Sequence, residues 1–272
     1  MSILKKVSVF PIFVLVISSC MIGQNKPTIL PTSTSIINSP TSTKTIVSTF
    51  TPTLVPTLFN SNDSDLYDNF NNSAYEGSIN KELWGIESKA ANDIIQTEGI
   101  LSVLKRSGTS ECSSVSVNKY HGTEPQTPFF FQTDMKVEKP SPNSIVSIGI
   151  NGEVQNKAFM AICSIYSNSQ NTSGAECVNH WYINDNNLPE HQYYPIDEPN
   201  IINQWFTFRI DYDPSATTFT YFINNEMLGS YQVIDSESMK KAVFELKLYV
   251  CAPQEINNIG YFDNVRIGSH YQ

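Results

Sequence analysis

The residues best suited to bind a ligand lie between Asn179 and Tyr194, where aromatic rings are interspersed with amide and carboxylate side chains. Sugar rings stack their C–H faces on Trp and Tyr, and their hydroxyls hydrogen-bond to Asn and Asp. We therefore predict a carbohydrate-binding site in this segment. Its predicted members are Trp181, Tyr182, Asn184, Asp185, His191, Tyr193 and Tyr194. The alternative is that Trp181 and Tyr182 continue a strand into the core and that the Asn-rich run is a turn.

The carboxylates do not form the pattern that glycoside hydrolysis needs. Two of them must flank the scissile bond, and residues two apart on a strand point to the same side. Asp211 and Asp213, and likewise Asp235 and Glu237, have this spacing, but both pairs fall at predicted strand ends beside turns. The cysteines and histidines show no zinc-binding spacing either. We therefore expect binding without catalysis, with hydrolysis as a weaker alternative.

Asp263 is the candidate metal ligand. It alternates with Tyr261, Val265 and Ile267 in the predicted last strand, so it points into the core if Val265 and Ile267 do. A buried carboxylate is unfavourable unless it is hydrogen-bonded or bound to a cation. A structural calcium ion is therefore one prediction, and hydrogen bonds from backbone amides are the other.

The elements that must position these residues are β-strands. Seven segments alternate apolar and polar side chains with a period of two and are rich in aromatic and β-branched residues. They are 129–137, 144–150, 159–166, 205–212, 219–223, 244–250 and 260–267. Turns rich in Asn, Gly, Pro and Ser separate them, and the one helical candidate is Ser78 to Leu83. The pattern predicts an all-β fold, an antiparallel sandwich of two sheets.

Alternation also assigns the two faces of the clearest strands. The predicted core faces are Phe206, Phe208, Ile210 and Tyr212 in one strand and Phe244, Leu246, Leu248 and Val250 in the other. The predicted outer faces are Trp205, Thr207, Arg209 and Asp211, and Glu245, Lys247 and Tyr249. A polar, partly aromatic outer face suits sugar binding, and a merely solvated sheet face has the same composition.

The N-terminal segment is typical of an export signal and ends in a cysteine. Lys5 and Lys6 precede an apolar run from Val7 to Ile17 that is too short to span a bilayer. The Ile-Ser-Ser-Cys ending resembles a bacterial lipobox, which predicts cleavage before Cys20 and lipidation of this residue. The mature protein would be an extracytoplasmic lipoprotein anchored to a membrane, at the cell surface or facing the periplasm.

Composition divides the chain into three parts. The predicted signal peptide is 1–19, a Thr-, Ser- and Pro-rich disordered tether follows at 20–59, and one folded domain occupies 60–272. The formal net charge of −9 argues against nucleic acid as a partner.

Four cysteines remain besides Cys20, and exported proteins usually pair them as disulfides. Three pairings are possible. We favour Cys163–Cys177, which is local enough to join a hairpin, together with Cys112–Cys251, which would join early and late strands.

Several segments resemble the concanavalin A-like lectin/glucanase family, which includes laminin-G-like jelly rolls. They are 203–211, 219–226 and 260–267, together with 68–70, 83–84 and 99–103 near the start of the domain. The resemblance covers 68–268 and implies a jelly-roll sandwich. It also implies a calcium site formed by Asp263, the carbonyl of Gly99 and Asp68. The glycosidase patterns of the family, Glu-x-Asp-x-x-Glu and Glu-x-Asp-x-Glu, are missing from this sequence.

These observations predict a lipid-anchored protein that recognises polysaccharide or glycoconjugate without catalysis. The first alternative is a structural or protein-interaction module of the laminin-G-like kind. The second is a glycoside-processing hydrolase.

Overall fold

The computed structural model describes residues 65–86, 93–109, 112–120, 127–154, 157–170, 172–183, 186–187, 193–196 and 201–269. Within these residues the chain forms two antiparallel β-sheets that enclose one main hydrophobic core. The predicted signal peptide and tether lie outside the described residues, so these two predictions stand as they were.

Sheet A contains eight of the described strands, which are numbered in chain order. In spatial order they are β14 (Glu226–Gln232), β13 (Thr218–Ile223), β12 (Phe206–Asp213), β6 (Phe129–Lys136), β16 (Asn258–Ser269), β4 (Ile100–Lys105) and β3 (Ile94–Thr97), with β1 (Leu66–Asp68) paired to β16.

Sheet B also contains eight of the described strands. In spatial order they are β10 (Asn186–Asn187), β9 (Ser173–Ile183), β8 (Lys157–Ser167), β7 (Ser144–Val154), β15 (Val243–Cys251), β5 (Cys112–Val117) and β2 (Trp84–Ile86), with β11 (Tyr193–Ile196) also paired to β9. All seven predicted strands are present, most of them one to four residues longer than the pattern indicated.

The predicted helix at Ser78 to Leu83 is wrong. The Asn80 side chain accepts a hydrogen bond from the backbone N–H of Glu82 at 3.0 Å, and the Asn80 carbonyl accepts bonds from Leu83 and Trp84. Asn side chains compete in this way with helical bonding and favour turns. The single described α-helix is the short α1 (Ser236–Met239), which Asp235 caps with its side chain.

The core faces follow the predicted alternation. Phe206, Phe208, Ile210 and Tyr212 of sheet A, and Phe244, Leu246, Leu248 and Val250 of sheet B, are all at most 4% exposed. Aromatic rings join the two sheets, because Tyr212 lies 4.9 Å from Phe244 and Phe219 lies 4.7 Å from Phe159 between ring centroids. Each of these contacts pairs a ring of sheet A with a ring of sheet B.

Both predicted disulfides are confirmed, and both cross-link sheet B. Cys163 and Cys177 face each other on β8 and β9, and Cys112 and Cys251 face each other on β5 and β15. Each bond therefore ties directly opposed residues of neighbouring strands.

Candidate functional site

The outer face of sheet B carries a continuous group of polar side chains, which we call the polar face of sheet B. Its members alternate with the core residues of β5, β7, β8, β9 and β15. They are Ser114, Ser116, Ser147, Asn151, Ser164, Glu176, His180, Glu245, Lys247 and Tyr249. Most of them are buried, with Tyr249 at 3% and Lys247 at 7% exposure. Such side chains need hydrogen-bond or ionic partners, which fix their positions.

Tyr249 and Asn151 form the central contact of this face. The Tyr249 hydroxyl donates a hydrogen bond to Asn151 Oδ1 over 2.6 Å, although the two residues are 98 positions apart. Gly149 makes room for the tyrosine, because a Cβ atom there would lie 2.9 Å from Tyr249 Cε2. A glycine on β7 thus lets the ring lie flat across the neighbouring strand.

Lys247 and Glu245 place an ion pair beside this contact, on the same strand as Tyr249. Lys247 Nζ lies 2.6 Å from Glu245 Oε2, with only 9% and 19% of the two side chains exposed. Ion pairs withdrawn from water interact more strongly than surface pairs. The centre of the face therefore combines a phenol, an amide, an ammonium group and a carboxylate.

A second row of polar groups crosses the sheet from Tyr249 toward β9. Ser147 and Ser164 share a hydrogen bond of 2.8 Å between their hydroxyl oxygens, and Ser164 lies opposite Glu176. Burial raises the pKa of the Glu176 carboxyl above its usual value. Glu176 is therefore more readily protonated than an exposed glutamate, as an acid catalyst requires.

A small apolar patch adjoins the polar row. Met160, Ile162 and Val178 pack together on the outer side of β8 and β9, separate from the main core. Sugars bind to surfaces that combine apolar contact area with a few convergent polar groups. The outer face of sheet B offers both.

The residues predicted as a glycan site are only partly described. Trp181 and Tyr182 lie in β9, where their backbones pair with Phe159 and Ala158. Asn184, Asp185 and His191 lie outside the described residues.

Tyr193 and Tyr194 lie in β11. Tyr193 is 45% exposed. The Tyr194 hydroxyl donates to the Ser230 carbonyl at 2.6 Å, and its ring packs against Tyr221 at 5.5 Å between centroids. Tyr194 therefore ties the edge of sheet B to sheet A, while Tyr193 keeps the exposure that a binding residue needs.

The inward orientation predicted for Asp263 is wrong. The pairing of β16 with β6 shifts between Asp263 and Arg266, and Asn264 adopts a positive φ of 48° there. This β-bulge interrupts the alternation. Val265 is buried, whereas Asp263 lies opposite Asp134 on the outer side of sheet A.

The pKa of Asp263 is raised to about 6, chiefly by burial and in addition by the nearby Asp134 and Asp68 carboxylates, while the hydrogen bond from the Asn264 N–H lowers it. Asp68 accepts hydrogen bonds from the Phe70 N–H at 2.8 Å and from Trp84 Nε1 at 2.8 Å. Asp263 and Asp68 therefore both accept hydrogen bonds from N–H groups of the protein.

Gly99 occupies the β3–β4 turn with a φ of 77°, next to the side chain of Asn71. Among the described residues no group of three His, Cys, Asp or Glu side chains is arranged to hold a metal ion. The calcium site formed by Asp263, Gly99 and Asp68 stays a prediction. No helix in the described part of the chain has the length and apolar character needed to cross a bilayer.

Sequence reasoning placed Glu245, Lys247 and Tyr249 on an outer face but did not select them as a site. It did not single out Asn151 or Glu176. The alternation of β7 carries a usable signal, because small or polar residues occupy the outward positions from Ser147 to Asn151. The pattern of β7 does not show that β15 is its neighbour in the sheet, and therefore does not show that Asn151 meets Tyr249.

Comparison with known proteins gives similarity of structure only. No protein-family model and no curated protein sequence matches the chain. One similar structure, with a TM-score of 0.55 and 10% identity, comes from work on endo-acting O-glycanases that prominent members of the human gut microbiota express to initiate mucin breakdown. The match covers 75% of this chain and 98% of that one.

Two further structures resemble the chain to a similar degree. The family 7 alginate lyase A1-II′ in complex with substrate has a TM-score of 0.52 at 12% identity, over 71% of this chain and 96% of that one. LamAcat from Zobellia galactanivorans has a TM-score of 0.54 at 13% identity, over 75% and 96%.

The prediction that ranked binding without catalysis first is contradicted, because the similar structures include an alginate lyase and one from work on endo-acting O-glycanases. At these identities the similarity itself concerns the fold. The two antiparallel sheets and the three comparisons agree: the chain has a concanavalin A-like jelly-roll fold.

Proposed function

We propose that the protein is a polysaccharide-cleaving enzyme and that its substrate lies across the polar face of sheet B. Support comes from the fold, which it shares with an alginate lyase and an O-glycanase structure. The observation that carries the proposal is the contact of Tyr249 with Asn151 beside the Lys247–Glu245 ion pair. These groups can bind a sugar, stabilise negative charge and move a proton.

Each group has a definite chemical capacity. Asn151 uses its carbonyl oxygen to accept the Tyr249 bond, so its amide N–H groups can donate to a substrate oxygen. The Lys247 ammonium can stabilise an anionic group of the substrate. The Tyr249 hydroxyl can give its proton to the oxygen that leaves when the glycosidic bond breaks.

This combination favours elimination from an acidic polysaccharide. In that reaction a base takes the proton from the carbon next to the sugar carboxyl, and the Glu245 carboxylate, opposite Asn151, would be that base. The electron pair of the broken C–H bond forms the double bond, the glycosidic C–O bond breaks, and an unsaturated sugar remains. The amide and ammonium groups of Asn151 and Lys247 would bind the sugar carboxylate and stabilise the negative charge that builds up on it. Tyr249 would protonate the leaving oxygen.

One observation favours hydrolysis as a second candidate. Glu153 on β7 pairs with Val243, and Glu245 pairs with Asn151, so the two glutamates are diagonal neighbours on the outer side of adjacent strands. Diagonal neighbours lie about 7–8 Å apart at the backbone. Retaining and inverting hydrolysis both use two carboxyl groups at separations of about 5 to 9.5 Å.

Product analysis tests the proposal and separates its two forms. The full chain is incubated with alginate, mucin glycans and neutral glucans, and both new reducing ends and the ultraviolet absorbance of unsaturated sugars are measured. Elimination yields both signals, and hydrolysis yields reducing ends alone. No cleavage of any of these polymers would contradict the proposed function.

Tyr249→Phe tests the role of the hydroxyl. We expect kcat to fall by at least about 100-fold, because a proton-transfer group is lost while the ring is kept. Tyr212→Phe is the matched control, since the Tyr212 hydroxyl is buried in the core, where it has no hydrogen-bond partner among the described residues. Equal activity of both variants would exclude Tyr249 from the chemistry, and a selective loss in Glu153→Gln would favour hydrolysis.

A further inference from the structure

The outer face of sheet A carries aromatic rings that are held in place by cations. Lys136 Nζ lies 5.2 Å from the centre of the Trp205 ring and 5.1 Å from the centre of the Tyr261 ring. Trp205 is 40% exposed, an unusual value for a tryptophan beside a strand. An ammonium group is attracted to the face of an aromatic ring. Lys136 therefore holds the rings of Trp205 and Tyr261 in one arrangement.

The same arrangement recurs farther along this face. The Arg209 guanidinium carbon lies 4.4 Å from the centre of the Phe130 ring and 5.4 Å from that of Phe222. Arg209 also binds the carboxylate of Asp211 through two nitrogens, at 2.6 and 3.0 Å. Aromatic rings therefore lie toward both ends of the outer face of β12 and β6.

Polar groups fill the space between the two aromatic clusters. Asp134 accepts hydrogen bonds from the Thr207 hydroxyl at 2.5 Å and from Asn264 Nδ2 at 2.9 Å. Asp263 lies opposite Asp134 in the next strand. We call this surface the aromatic face of sheet A. Its members are Lys136, Trp205, Tyr261, Asp134, Thr207, Asp263, Asn264, Arg209, Phe130 and Phe222.

The charges on this face indicate what kind of ligand it fits. Lys136 is paired with Glu138 at 2.8 Å, and Arg209 is paired with Asp211. The cations of β6, β12, β16 and their ends are Lys136, Arg209 and Arg266, and the carboxylates are Asp134, Glu138, Asp211, Asp213 and Asp263. With carboxylates in the majority, the face does not attract an anionic polymer.

We propose that the aromatic face of sheet A is a second carbohydrate-binding surface that takes an uncharged polysaccharide. Sugar rings stack on Trp205 and Tyr261, and their hydroxyls bind the carboxylate and amide groups toward Arg209. This surface lies on the opposite side of the sandwich from the polar face of sheet B. It goes beyond the proposed cleavage and does not depend on it.

Affinity electrophoresis of the full chain tests this surface. The chain runs through gels that contain laminarin as the neutral glucan or alginate as the anionic comparator. Retardation by laminarin is expected, and Trp205→Ala and Tyr261→Ala should each weaken it about tenfold. Ile234→Ala is the matched control, because Ile234 is a 72% exposed apolar residue between β14 and α1, outside the strands that carry this face. It should be retarded like the wild type.

Trp205→Phe keeps a stacking ring and should retain most of the binding, which separates loss of the ring from misfolding. The same variants should cleave polysaccharide at the wild-type rate, so failure of this surface is distinguishable from failure of the proposed function. No retardation by laminarin, or unchanged retardation of Trp205→Ala by laminarin, would each overturn the proposal. Retardation by alginate that is the same in the wild type and in Trp205→Ala belongs to the polar face of sheet B.

Discussion

The two outer faces of the sandwich differ in the exposure of the residues that the two proposals depend on, although the same alternation produces both faces. On sheet B, Tyr249 and Lys247 are 3% and 7% exposed and hold polar partners, whereas on sheet A Trp205 is 40% exposed. Polar groups that are withdrawn from water and paired keep one geometry, as catalysis requires. Exposed rings suit a ligand that stacks on them. The difference is in keeping with the two proposals, cleavage on sheet B and binding on sheet A.

Cross-linking follows the same division. Both disulfides lie in sheet B, and within the described residues no disulfide joins strands of sheet A. Cys251 is two residues from Tyr249 on β15, so one cross-link holds the strand that carries the proposed proton donor. Sheet B is thus the more constrained of the two.

Removal of the Cys112–Cys251 bond should have the largest effect on this difference. The double variant Cys112→Ala/Cys251→Ala is expected to lower the free energy of unfolding by about 5 kcal/mol, because the bond closes a long loop in the unfolded chain. Its partners are 139 residues apart, against 14 for Cys163–Cys177. Urea denaturation measures the change.

Cys163→Ala/Cys177→Ala serves as the comparison, with an expected loss of about 3 kcal/mol for the shorter loop. A loss below about 1 kcal/mol in either double variant would show that sheet B does not depend on that cross-link.

Substitution of one lysine on each face compares a buried with a more exposed ion pair. Lys247→Met should lower the free energy of unfolding by about 3 kcal/mol, because it leaves the largely buried Glu245 carboxylate without this cation. Lys136→Met should lower it by less than about 1 kcal/mol, since Glu138 is 45% exposed. Both values come from urea denaturation at neutral pH.

Adding Glu245→Gln to Lys247→Met should recover part of the loss, because it removes the unpaired charge. Equal losses in the two single variants would mean that the difference in burial between the two ion pairs does not affect stability.

Asp263→Asn tests the smallest effect, on sheet A. The folded-state pKa of Asp263 is raised to about 6 from the ordinary value of 3.8, so the ionised carboxylate destabilises the fold above pH 6 and the protonated one does not below pH 4. The amide keeps an oxygen for the Asn264 N–H. We expect a gain of about 1 kcal/mol at pH 7, allowing for solvent screening, that disappears toward pH 4.

Melting temperatures across this pH range, with calcium and with a chelator, measure the effect. If calcium stabilises the wild type at pH 7 and Asp263→Asn abolishes that response, the predicted calcium site gains its first support. If Asp263→Asn is less stable than the wild type at pH 7 in the presence of chelator, the raised pKa of Asp263 is contradicted.

The sequence by itself determined the fold class, the strands and the core faces of the clearest two, β12 and β15. Alternation such as that of Phe206 to Tyr212 is a local property, and burial of one face requires it wherever the strand pairs. The two disulfide pairings were also chosen correctly from spacing and from the expected joining of early and late strands. The short-range turn at Asn80 was misjudged, because a side-chain hydrogen bond outweighed helical spacing.

Only the tertiary structure decided which residues meet. Tyr249 and Asn151 come together because β15 pairs with β7 across 98 residues, and no local pattern encodes that register. The bulge in β16 turned Asp263 outward in the same way, through the pairing with β6. Strand order and register depend on contacts between distant segments, so the chemistry of each face emerges only when the sheets assemble.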